Sequence, residues 1–267
     1  MTRLAGLKEQ NRAKLGLLLR SLKGYVTPEN AAPLLNVSQR YASMILARYA
    51  KNGWLTRVKR GYYVPVDVAA ENPTYANSNP WVVATNSFFP CYIGGWSALE
   101  YWGFTEQIYN EILVFTSRNT RKSTQSLLGN RFRLKRASKE SLFGLKTIWL
   151  DDQKVFISDP TRTIIDILSD IKLAGGIRPA FDALKRYLIS EYKDLTLLDE
   201  YAGKLDNKAV YKRLGFLMEQ IPKPDKEFLK LCKKKISQGN SKLDPTLDAD
   251  CLITKWKLWI PKSWKGL

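Results

Sequence analysis

The chain has 267 residues, 45% of them hydrophobic and 25% charged, with 43 Lys/Arg against 25 Asp/Glu, a net charge of +18 and no histidine. Without histidine there is no Ser-His-Asp triad, Cys-His pair or His-ligated zinc, and acid–base chemistry would fall to Asp, Glu, Lys or Tyr. No apolar run approaches the roughly 18 residues that cross a bilayer, and no signal-peptide core opens the chain, so a cytoplasmic protein without a membrane partner is expected.

The length fits two domains, which we place at 1–66 and 81–267 with a linker at 67–80. The charge is uneven. The first 66 residues carry 12 Lys/Arg against only Glu9 and Glu29, a net +10, while the other 201 carry +8. Cys91, Cys232 and Cys251 are far apart, show no metal-ligand spacing, and are expected to be reduced.

The first predicted helix runs from about Leu7 to Leu22, with Leu15, Leu18, Leu19 and Leu22 at helical spacing and Lys23-Gly24 as its stop. Thr27-Pro28-Glu29 signals the second: a capping Thr, Pro at the first helical position, and an acid at the positive end of the dipole. Pro33 should keep it short. Asn36-Val37-Ser38 forms a turn, and Ser38 caps a third helix that ends near Asn52-Gly53. At about 100° per residue, Ala42, Ile45, Leu46 and Tyr49 share one face of that helix. Arg40, Ser43, Met44, Ala47 and Lys51 lie opposite, with Arg48 at the edge. Trp54–Val58 and Gly61–Pro65 then read as a two-stranded wing around Lys59-Arg60-Gly61.

This is the pattern of a winged helix-turn-helix. A small-centred, basic-ended exposed helix suits the major groove, and a compact basic module suits the phosphate lattice. The expected base-reading residues are Gln39, Arg40, Ser43 and Met44. Arg48, Lys51, Arg57, Lys59 and Arg60 would lie on phosphate or in the adjacent minor groove. Such modules also serve in protein contacts, with their charges merely solvated. Here the positive excess coincides with the exposed helix face and wing tip, which favours double-stranded DNA.

The remainder is expected to be a mixed α/β domain with a helical C-terminal part, giving an α/β (α+β) chain overall. Trp81–Ala84 reads as its opening strand. Gly94-Gly95 before a short helix could cradle an anion, but it reads better as a tight turn packing Trp96, Leu99 and Trp102. A nucleotidyltransferase site would need paired aspartates on the following strand, Glu111–Phe115, and no Asp occurs between Glu71 and Asp151. Arg118–Lys139 holds eight basic residues and no acid. On a strand, Arg131, Arg133 and Lys135 would share a face opposite Phe132 and Leu134; with Arg118 they form a possible second basic surface. Strands near 146–150 and 154–157 follow.

Asp159-Pro160 caps a helix, and further helices are expected near 178–189, 196–204, 207–220 and 225–236. Lys226, Lys230, Lys233, Lys234 and Lys235 cluster on or near the last. Ile253–Ile260 reads as a strand. No residue is assigned a catalytic or metal-binding role, and no cofactor is expected.

Four blocks make the chain resemble the AbiEi antitoxins of bacterial type IV (abortive infection) toxin–antitoxin systems. They are Arg60-Gly61-Tyr62-Tyr63-Val64, Gly95-Trp96-Ser97-Ala98-Leu99-Glu100-Tyr101-Trp102-Gly103 with Thr105-Glu106-Gln107, Asp159-Pro160-Thr161-Arg162-Thr163 with Asp166, and Lys212-Arg213-Leu214-Gly215-Phe216-Leu217. The second block is the most specific. The resemblance implies a non-enzymatic autorepressor that binds inverted repeats in its own promoter. It also implies a C-terminal domain that opposes a nucleotidyltransferase-like toxin without needing a stable complex. Two other classes stay open: a nucleic-acid-processing enzyme using carboxylates such as Asp151, Asp152, Asp159 and Asp166, and a ligand-sensing transcription factor.

Overall fold

The computed structural model describes residues 9–22, 25–66, 79–150 and 152–264. Outside the described residues lie the start of the first helix at Leu7, its Lys23-Gly24 stop, nearly all of the expected linker, and Asp151. The chain divides into two compact units. One comprises Met1–Phe89, Arg121–Arg133 and Ile148–Val155; the other comprises Pro90–Thr120, Leu134–Thr147 and Phe156–Leu267.

The first unit begins with three helices: α1 (Glu9–Ser21), α2 (Pro28–Leu35) and α3 (Gln39–Lys51). Thr27 and Asn30 form a reciprocal capping box: Asn30 N–H donates to Thr27 Oγ1 at 3.2 Å, and Thr27 N–H donates to Asn30 Oδ1 at 2.7 Å. Pro33 sits inside α2, which stops two residues later with Asn36 in the left-handed conformation. Ser38 caps α3 by accepting from Tyr41 N–H at 3.3 Å.

Strands β1 (Leu55–Lys59) and β2 (Tyr62–Pro65) pair antiparallel, with a register shift between Arg57 and Lys59. Gly61, at φ +73°, makes the tight turn. Val26 adds a one-residue third strand beside β2 by exchanging both backbone hydrogen bonds with Tyr63, at 2.7 and 2.9 Å. A single residue is too short a strand to leave a sequence pattern. The core joins Leu15 and Leu18 of α1, Ala31 and Leu35 of α2, and Ala42, Ile45, Leu46 and Tyr49 of α3 with Val26, Leu55 and Tyr63. Burying each large apolar side chain stabilises by roughly 1.5–3 kcal/mol. Leu19, one of the four leucines at helical spacing, is exposed.

The segment expected as a strand at Trp81–Ala84 is instead helix α4 (Pro80–Phe88). Asn79 caps it by accepting from Trp81 N–H at 2.9 Å, and Pro80 occupies the first turn. These start signals outweigh the weak strand preference of Trp and Val.

Strands β3 (Cys91–Ile93), β4 (Ile112–Thr116), β5 (Thr124–Leu127), β6 (Asn130–Arg136), β7 (Leu145–Leu150) and β8 (Gln153–Ser158) form a six-stranded sheet in the order β5-β6-β4-β3-β8-β7. β3 pairs antiparallel with β4 (Tyr92 opposite Phe115) and parallel with β8 (Ile93 opposite Ile157). Between β3 and helix α5 (Gly95–Tyr101), two glycines admit close packing. A Cβ on Gly94 would lie 2.7 Å from the Phe115 ring, and one on Gly95, at φ +52°, 2.1 Å from Leu113 Cδ2. The Gly-Gly turn is thus explained by packing. Leu99 is fully buried, while Trp96 and Trp102 lie half-buried against the same core.

In the second unit, helices α6 (Pro160–Ser169), α7 (Ile177–Ile189), α8 (Leu195–Lys204), α9 (Lys208–Glu219) and α10 (Lys226–Lys235) stand where the periodicity places them. Asp159 caps α6, accepting from Arg162 N–H at 2.7 Å. Pro160 through Leu168 are all buried, so α6 has no solvent face and its polar groups need internal partners. Arg162 Nε donates to Asp166 Oδ1 at 2.9 Å, and Tyr92 Oη donates to Asp166 Oδ2 at 3.0 Å.

Helix α9 is buried along Val210–Met218. Arg213 donates to the carbonyls of Leu168, Ser169, Lys242 and Leu243. The expected strand at 253–260 is a hairpin: β10 (Cys251–Ile253), a turn, and β11 (Leu258–Ile260), with β9 (Ser241–Lys242) parallel to β11. The break follows from packing. Trp256, wholly buried, fills the space left by the missing side chain of Gly215, where a Cβ would come within 2.0 Å of its ring.

Candidate nucleic-acid interface

Helix α3 divides as its periodicity requires. Ala42, Ile45, Leu46 and Tyr49 are buried in the first unit's core. Gln39, Arg40, Ser43, Met44, Ala47, Arg48 and Lys51 are exposed. Tyr41, not among the expected site residues, is also exposed near the start of the helix. The face turned away from the core therefore has a small and apolar centre, Ser43, Met44 and Ala47, with cations before and after it.

Arg48 is held. Its Nη2 donates to Asn11 Oδ1 of α1 at 3.2 Å, and Tyr49 Oη donates to the Asn11 carbonyl at 2.9 Å. Burial pushes the Tyr49 phenol up, partly offset by the neighbouring Arg48 charge. Asn11 thus fixes one edge of α3 against α1. The long separation in sequence leaves no local signal for this contact.

The three wing cations differ in their surroundings. Arg57 and Arg60 are exposed, Arg60 at the turn. Lys59 is half-buried; its Nζ donates to the carbonyls of Ser87 and Asn86 near the end of α4 and lies 5.7 Å from the Tyr62 ring centroid. Carbonyls in the last turn of a helix lie at the negative end of its dipole, where a cation is favoured. Tyr62 stacks on Tyr25 with ring centroids 5.4 Å apart, and its phenol is raised chiefly by burial. Lys59 therefore ties the wing down, and Arg57 and Arg60 remain as its outward cations.

The second basic segment alternates as expected on β6. Phe132 and Leu134 are buried and Arg131 and Arg133 exposed. Lys135 is paired with Asp170 at 2.6 Å. Arg131 and Arg133 belong to the first unit, Arg118 and Lys135 to the second. On α10, Lys230 pairs with Glu227, Lys235 with Asp199, and Lys233 donates to the Lys255 carbonyl.

The carboxylates considered for enzymatic work have structural surroundings. Asp152 stands at the β7–β8 turn with φ +57°. Asp159 caps α6 and accepts from Tyr201 Oη at 2.9 Å. Asp166 is the buried partner of Arg162. Among the described residues, no group of three or more His, Cys, Asp or Glu could hold a metal ion, and no helix is long and apolar enough to cross a membrane.

Residues 15–66 match the family model described as "Transcriptional regulator, AbiEi antitoxin". This segment holds most of α1, all of α2 and α3, and the wing. No curated protein matches the chain. Among solved structures the chain is similar to the RV2827C protein from Mycobacterium tuberculosis, with a TM-score of 0.64 and 12% identity over 97% of this chain and 94% of that one. At that identity the likeness is one of fold.

Proposed function

We infer that this chain, a regulator whose residues 15–66 are of the AbiEi antitoxin type, binds double-stranded DNA through α3 and the wing and represses its own operon. The supporting observation is the division of α3: a fully packed inner face behind an outer face of Gln39, Arg40, Ser43, Met44 and Ala47, with Arg48, Lys51, Arg57 and Arg60 around it. Gln39 and Arg40, at the start of the helix, are suited to bidentate contacts with adenine and guanine. The surrounding cations are suited to phosphates. Inverted repeats in the promoter would let two copies bind across a two-fold axis.

The antitoxin activity proposed is of type IV. The chain would oppose a nucleotidyltransferase-like toxin without a stable complex, acting as a cytoplasmic, non-enzymatic protein. The larger second unit is the natural seat of that activity, since the regulator match ends at residue 66.

Two experiments test this. A gel shift on the duplex upstream of the reading frame, run across a salt series, should give an affinity that falls linearly in log–log form. Indifference to salt, or equal affinity for unrelated duplexes, would refute operator binding. Co-expression with an adjacent nucleotidyltransferase reading frame should restore growth, and an Arg40→Ala/Arg57→Ala/Arg60→Ala variant should still do so while failing to repress. Loss of rescue in that variant would refute the separation of the two activities.

A further inference from the structure

Met44 is 63% exposed at the middle of the outer face of α3. An uncovered methionine there leaves apolar area in water that burial against a partner would stabilise. Its position is specific. Residues three and four apart share a helix face, so Arg40 and Arg48 stand one turn to either side of Met44, and Ala47 lies beside it. Lys51 continues the same face one turn further. The result is a narrow apolar spot, Met44 with Ala47, bracketed along the helix by cations and lined on one side by the Ser43 hydroxyl.

A partner that fits this spot carries negative charge on two flanks and an apolar group between them. In the major groove of duplex DNA, phosphate rows lie on either side, and the apolar group on the floor is the C5-methyl of thymine. We propose that Met44, packed beside Ala47, reads a thymine methyl in each operator half-site, so that one base pair is selected by apolar contact while Gln39 and Arg40 select neighbouring pairs by hydrogen bonding. This inference builds on the DNA-binding reading above and adds the base and the chemistry of its recognition.

The test uses the full chain, its Met44→Ala and Met44→Leu variants, and the upstream duplex with thymines replaced one at a time by deoxyuridine. That replacement keeps every hydrogen-bonding edge and removes only the methyl. At one position per half-site it should weaken the unaltered chain roughly fourfold, the scale of one buried methyl-sized group. Met44→Ala should bind the thymine duplex about as weakly as the unaltered chain binds the duplex replaced at that position in both half-sites, and should ignore the replacement. Met44→Leu should stay sensitive.

The inference is overturned if replacement is neutral at every thymine, or if Met44→Ala keeps the full penalty, while salt-dependent DNA binding persists. Absence of salt-dependent binding to the unmodified duplex would instead remove the DNA-binding reading, and this inference with it. Thermal melts of both variants, expected to match the unaltered chain because the side chain is exposed, separate lost contact from lost fold.

Discussion

Arg162 and Asp166 stand one turn apart on α6 and meet at 2.9 Å, with side chains only 1% and 2% exposed. The guanidinium also lies 4.1 Å from the Phe143 ring centroid, and its Nη2 donates to Tyr92 Oη at 3.2 Å. Removing one member of such a pair leaves the other charge buried without compensation. Arg162→Met should therefore lose about 3–5 kcal/mol of stability, read as a lowered urea midpoint. A loss below about 1 kcal/mol would show that the site relaxes or admits water.

The same pair predicts a pH dependence. Burial pushes the Asp166 carboxyl up from 3.8 to about 6, against the opposing pull of Arg162 and the Tyr92 hydroxyl. A carboxyl with a raised folded value holds its proton more tightly in the native state. Its contribution to stability is therefore greatest below about pH 4 and is lost as pH rises through about 6. The stability difference between the unaltered chain and Asp166→Asn should change across that window and flatten above it. A difference constant from pH 4 to 7 would contradict the assignment.

Gly215→Ala tests the C-terminal hairpin. The new Cβ would meet the Trp256 ring at 2.0 Å, and Trp256 is fully enclosed, with its Nε1 donating to Glu219 at 2.6 Å. Overpacking at such a point typically costs about 1–3 kcal/mol. Thermal denaturation should show the loss, and the Trp256→Ala/Gly215→Ala double variant should show strong non-additivity, because the two changes share one space.

On the wing, Arg57→Ala and Arg60→Ala should each reduce the salt dependence of DNA binding by about one phosphate contact, a slope change near 0.9. Lys59→Ala should leave the slope closer to its original value and lower stability instead, since Nζ donates to Ser87 and Asn86 rather than lying outward. Equal slope changes for all three would return Lys59 to the DNA surface.

The two faces of α3 could be read from sequence because a 3.6-residue period sorts Ala42, Ile45, Leu46 and Tyr49 from Arg40, Ser43 and Met44 without knowledge of the partners. Caps were legible for a similar reason: Thr27, Ser38 and Asp159 each act within three residues of themselves. Trp81–Ala84 has strand-like composition, yet the local start signal Asn79-Pro80 makes it helical. Elsewhere distant packing decides. Ile253–Ile260 has strand-like alternation, yet Trp256 turns inward to meet Gly215. Arg162, Lys212 and Arg213 contribute to the net charge, yet all three are buried among internal acceptors. The Asp at the fourth position after Arg162 was the available hint. In the interface, Lys59 looked like its neighbours because its acceptors come from α4, well beyond the wing.

The paired backbone bonds between Val26 and Tyr63 have a kinetic consequence. They stitch the wing to the segment between α1 and α2, so the hairpin and α3 are carried on one frame before any partner arrives. Docking then freezes few torsions that were not already fixed, and affinity is not spent on ordering the loop. Association should accordingly follow a single encounter step whose rate is limited by orientation and charge steering, with no slower phase in which the wing folds onto the duplex.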